Sequence, residues 1–198
     1  MKRLAWVLAV LSFLGCGGSG PTGSALSESP ELTRMSAALR LSGRDHIVAF
    51  GIDEIIVPAA VFGTTTDVIA HFAFLVVKNG RGDVRGLYRV SESVDGLTSN
   101  FAGHLSCLGV YDFNGITGNR AKVGGRIDSS DDPGIPVGTF IWWQAIDNRK
   151  VTGDKPDQST LPGFGTEQQN LDFCASSNPP RFGPFDVVRG DIAVLTED

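Results

Sequence analysis

Histidine is scarce in this 198-residue chain: His46, His71 and His104 are the three. None stands at His-x-His or His-x-x-x-His spacing, so no ready-made zinc motif is offered. A zinc site would need His71 and His104 to meet across neighbouring strands beside a carboxylate. Glutamate thins out after Glu92, leaving only Glu167 and Glu197. Paired carboxylates for glycoside cleavage are correspondingly few, although such pairs are defined by separation in space. Serines are common, but no Gly-x-Ser-x-Gly elbow presents one as a nucleophile. Positive charge is also short: 17 Lys and Arg face 22 Asp and Glu, a net charge of −5. Such a chain has no electrostatic pull toward nucleic acid or an anionic lipid surface. Past the N-terminus, no apolar run approaches the roughly 20 residues that a spanning helix needs.

What is present begins with an address. Lys2 and Arg3 precede a largely apolar stretch, Leu4 to Leu14, and then Gly15-Cys16. Cations, a short apolar core and a small residue make a secretory signal. The run Phe13-Leu14-Gly15-Cys16 resembles the bacterial lipobox, with Phe13 where that pattern usually has Leu. The resemblance implies cleavage before Cys16 and a lipid on its sulfur. Residues 1–15 are then a lipoprotein signal peptide. Residues 16–45 hold the lipidated cysteine and a Gly/Ser/Pro-rich tether, in which residues 31–41 carry a brief helical spacing of Leu and Met. Residues 46–198 form a single domain. Gly17 follows the cysteine, in place of the Asp that often signals inner-membrane retention in enteric bacteria, and points to the outer membrane.

Of three cysteines, lipidation uses Cys16 and leaves Cys107 and Cys174. An even pair in an exported chain is expected to form one disulfide. The alternative is two free thiols.

From residue 46 onward the pattern is β. Apolar, β-branched runs cover Ile52–Val57, His71–Val77 and Val84–Val90, with a hairpin signal at Asn79-Gly80-Arg81-Gly82. Phe101–Tyr111 follows, then a turn at Asn114-Gly115 and Gly118-Asn119. Ala121, Val123, Gly125 and Ile127 alternate with Arg120, Lys122, Gly124 and Arg126, the period of a strand with one buried face. Val137–Ile146 and Val187–Leu195 are the last strands. Glycine (25) and proline (10) fall mainly between these runs, where turns are needed. The expectation is an all-β, antiparallel sandwich or barrel. Residues 148–185 lack periodicity, and are expected to hide a strand or carry functional loops.

Several short motifs occur in one order: Phe72-Ala-Phe, Gly86-Leu-Tyr, Cys107-Leu-Gly-Val, Gly118-Asn-Arg-Ala-Lys-Val-Gly-Gly125, Asp147-Asn148, Asp157 and Gly190-Asp-Ile-Ala-Val194. Together they are similar to a family of small secreted bacterial β-proteins and modules that has no established activity. The resemblance covers roughly residues 70–195 and implies a β fold and a secreted setting.

Asp147, Asn148, Asp154 and Asp157 lie close together, and oxygen ligands on a loop suit calcium. The other reading is that they cap turns through their own backbone. Lys150 and Lys155 would oppose a cation there. Asp128, Asp131 and Asp132 form a second acidic stretch, expected to be a solvated connection. Arg81-Gly82-Asp83 and Arg189-Gly190-Asp191 repeat a tripeptide with adhesive potential, which common residues also produce by chance. Trp142 and Trp143 are adjacent, so on a strand they face opposite sides. The outer one could stack on a sugar or peptide, or could lie under a second buried surface. No catalytic set emerges. The expected function is a lipid-anchored envelope protein, a non-catalytic binding or structural module with an envelope protein or glycan as partner. The alternative is an envelope hydrolase acting on glycan or ester.

Overall fold

The computed structural model describes residues 47–148, 155–178 and 183–196. The signal, Cys16, the tether and His46 lie outside them. Strands β1 (Ile47–Val57), β2 (Val68–Lys78), β3 (Val84–Val94), β4 (Leu97–Phe113) and β5 (Ile116–Ser130) form successive antiparallel hairpins. Then come β6 (Phe140–Ile146), the short β7 (Gln158–Ser159) and β8 (Gly163–Gly165), and finally β9 (Phe185–Thr196). A helical turn, α1 (Ala59–Phe62), joins β1 to β2, and helix α2 (Glu167–Ala175) follows β8.

The sheet closes on itself. β5 pairs with β6, β6 with β7, β7 with β9 and β9 with β1, giving an antiparallel barrel of eight strands. β8 lies beside β7 on the same edge of β6. Of the two expected architectures, sandwich and barrel, the chain adopts the barrel. Each of the seven runs expected as strands contains a strand, although Val137–Thr139 of the sixth is a turn before β6. The aperiodic stretch after residue 148 hides two short strands and α2. That helix starts with a capping box, in which Thr166 accepts from the Gln169 N–H and Gln169 reaches back to the Thr166 N–H.

The period of two explains the core. Inward residues such as Phe72, Phe74, Tyr88, Val90, Phe101, Val123, Ile127, Ile141, Trp143 and Ile192 are buried. An eight-stranded barrel is just wide enough for side chains to fill, and here aromatic rings fill it. Trp143, 1% exposed, packs against Phe72, Phe74 and Tyr88 with ring centres 5.5–5.7 Å apart. Turns fit their residues: Asn114 and Gly115 both take positive φ, 52° and 78°, as a tight hairpin requires.

A bulge in β4 determines where the cysteine points. Leu105 pairs with Gly125, but Cys107 pairs with Gly124, so Ser106 is extra. After it the alternation reverses. Leu108 faces inward and Cys107 outward, where it bonds to Cys174 of α2 with Cα atoms 6.0 Å apart. The expected disulfide is present and ties α2 to the outside of β4, β5 and β6.

Candidate functional site

The polar residues of the barrel gather at its seam. β7 pairs with β9 through only two residues, Gln158 with Asp186 and Ser159 with Phe185. Further along β9, side chains take over. Asp157 Oδ2 accepts the Ile192 N–H at 2.8 Å, and Asp147 Oδ2 accepts the Val194 N–H at 3.3 Å. Asp157 Oδ1 accepts the Asn148 N–H at 2.9 Å, and its carbonyl accepts the Val187 N–H at 2.8 Å. Asn148 Nδ2 donates to Pro156 O at 2.8 Å. Asp147, Asn148 and Asp157 are all buried. The three described calcium candidates therefore close the barrel, with carboxylate oxygens turned to backbone donors. Asp154 and Lys150 lie outside the described residues. Among the described residues, no group of three His, Cys, Asp or Glu is disposed to hold a metal.

Asp53 lies inside this seam. It occupies an inward position on β1 between Gly51 and Ile55 and is 3% exposed. Neither of its carboxyl oxygens has a hydrogen-bond partner among the described residues. The Ser159 hydroxyl in the same region donates to Gln144 O at 3.2 Å. Burial pushes the Asp53 carboxyl up to about 7; the Ser159 hydroxyl opposes this by its proximity, although its hydrogen bond goes to Gln144 O, and the Asp157 charge adds to the rise. Opposite Asp53 on β9 is Gly190, with φ +99°, where a Cβ would collide with Ile52 O. The second tripeptide, Arg189-Gly190-Asp191, is thus part of a strand. The first is an exposed hairpin end, ordered by Asn79 Oδ1, which accepts the N–H groups of Arg81 and Asp83.

Glu92, half-buried at an inward-alternating position of β3, is a second acid of this kind. Burial, with the Asp132 charge behind it, pushes it up to about 7. Asp132 accepts from the Ser99 hydroxyl and the Gly134 N–H, and Asp131 binds Asn100 twice. Of the second acidic stretch, Asp131 and Asp132 belong to the β5–β6 connection, whereas Asp128 lies on β5 itself and faces His104. The Asp131 and Asp132 carboxylates order that connection.

The other polar assembly lies under α2. Lys122 Nζ donates to Ser176 O, Arg120 Nη2 to Ser177 O and the Tyr111 hydroxyl to Cys174 O. Cations at a helix C-terminus complement its dipole. The Arg120 guanidinium lies over the Tyr111 ring at 5.4 Å, and the Lys122 ammonium over Phe173 at 4.9 Å. Burial, and then the Arg120 charge, pull the Lys122 ammonium down to about 8. Trp142, half-buried, packs on Phe173. The adjacent tryptophans thus split as a strand requires. Trp143 is core, and Trp142 is the only one of the two with surface to offer.

The histidines do not meet. His71 on β2 pairs with Glu54 at 3.3 Å, and His104 on β4 pairs with Asp128. β3 stands between them, and His104 lies across from Leu87 whereas His71 lies across from Ser91. That separation removes the two-imidazole zinc arrangement.

Asp53 and Glu92 went unnoticed in the sequence, although each stands at an apolar position of an alternating strand: Ala49-x-Gly-x-Asp53-x-Ile-x-Val57 and Tyr88-x-Val-x-Glu92-x-Val94. The Thr166-x-x-Gln169 box likewise marked the start of α2. No protein-family model, curated protein or solved structure matches this chain.

Proposed function

We propose that this is a lipid-anchored protein of the bacterial cell envelope, held through Cys16, whose barrel is a non-catalytic binding or structural module. One observation carries the second half. The space in which a ligand-holding barrel keeps its chamber is filled by Trp143, Phe72, Phe74 and Tyr88. A partner of such a barrel meets its outside. The Asp147 and Asp157 carboxylates and the cations under α2 support the same reading, because each is engaged with backbone groups.

The anchor is tested by Cys16→Ser. Wild-type protein should sediment with membranes and carry the mass of a lipid-modified cysteine, and the variant should lose both. Unchanged retention and mass would refute the anchor. Protease treatment of intact cells, with a lysed control, then separates an external partner from a periplasmic one.

A further inference from the structure

The barrel wall is split on one side. Pairing of β3 with β4 ends at Gly86–Leu105, yet β4 runs on to Phe113, still paired with β5. From Ser106 to Tyr111 the other edge of β4 carries no strand among the described residues. The bulge at Ser106 marks the start of this divergence. A groove of about 400 Å³ lies against the free edge. Lys78 and Val84, flanking the β2–β3 hairpin, contribute to its lining, as does Leu171 of α2, which is 44% exposed. Val84, Leu108 and Val110 line it at inward positions. The Tyr111 hydroxyl is already committed to Cys174 O. Lys78 is the single charged residue in the lining.

We propose that this groove is a strand-addition site, which binds an extended peptide segment of a partner protein along β4 from Ser106 to Tyr111. The inference deepens the binding-module reading and rests on it. The recognition chemistry follows from the lining. A free strand edge presents backbone N–H and C=O groups at the spacing that an extended backbone matches. Side chains of such a peptide alternate between two faces. One face meets Leu108 and Val110, and the other meets Leu171 and solvent, so apolar residues at alternate positions are selected. The Lys78 ammonium selects a carboxylate, from a side chain or a free C-terminus. At Gly109 a Cβ would collide with Cys174 O, so α2 lies tight against β4 there.

The test uses the full chain and a pool of N-acetylated hexapeptides. Val, Ile or Thr stands at alternate positions, the others vary, and the C-terminus is free. Amide hydrogen exchange is followed residue by residue. The pool should slow exchange of free-edge amides between Ser106 and Tyr111 by about tenfold or more. A matching pool N-methylated at alternate residues should bind about tenfold more weakly. Lys78→Glu and, separately, Leu171→Ala should weaken binding while the rest of the amide spectrum stays unchanged. No slowing at millimolar peptide, equal binding of the N-methylated pool, or slowing confined to another surface would overturn the proposal. So would protection of the same edge by self-association without peptide. Membrane retention is not read in this experiment, so a failed groove and a failed anchor give separate results.

Discussion

The Asp157 carboxylate holds two distant backbone amides at once, that of Ile192 at 2.8 Å and that of Asn148 at 2.9 Å. One side chain thereby does part of what a longer β7 would do. It joins the end of β6 to β9 where the barrel has only two ladder pairs to close it. Asp157→Ala should take the carboxylate acceptor away from both buried N–H groups. Each such loss costs about 1–3 kcal/mol, so stability should fall by about 2–6 kcal/mol. Chemical denaturation measures this. A change within error of zero would mean that the carboxylate does not close the barrel.

Stability should decline as pH rises from about 4 to about 7. Asp53 and Glu92 are both pushed up to about 7, from 3.8 and 4.5, chiefly by burial. In that window the unfolded chain has released these protons while the folded chain still holds them. The native state binds more protons, so raising pH favours unfolding. The charges facing each group act in the same direction, Asp157 toward Asp53 and Asp132 toward Glu92. Asp53→Asn keeps the shape of the neutral acid and should remove part of the slope. Adding Glu92→Gln should remove more. Denaturation midpoints at a series of pH values read the result, and an unchanged slope in the double variant would contradict it.

Replacing Cys107 and Cys174 together by Ala should cost about 4 kcal/mol in the chain-entropy picture, because the bond spans 67 residues of sequence. The loss should be local first. Lys122, Arg120 and Tyr111 still hold the C-terminal end of α2. Amide exchange should accelerate in residues 167–175 before it does in β1–β5. Uniform acceleration across the barrel would show that α2 and the sheet unfold as one unit.

The strands were legible because each side-chain pattern is local. The alternation from Arg120 to Ile127 shows a strand on its own, and Asn114-Gly115 shows a hairpin. Cys107 and Cys174 were legible as partners by elimination. The seam was half legible: Asp147, Asn148 and Asp157 stood out as a cluster of oxygens. Calcium and turn capping remained as alternatives, because a carboxylate reads the same in sequence whether a cation or an N–H group faces it.

By itself, then, the sequence determined the strand segments, the hairpins, the all-β class and the cysteine pair. All of these depend on residues near one another in the chain or on simple counting. Only the tertiary structure decided that the sheet closes into a barrel, because closure depends on register between strands distant in sequence, β9 with β1 and β5 with β6. It also decided that Trp143 is the core residue of the pair and that Asp147 and Asp157 meet β9. The split between β3 and β4 is of the same kind. One inserted residue, Ser106, leaves no mark in composition, yet it reverses the side chains from Cys107 to Tyr111, up to the next irregularity in the strand.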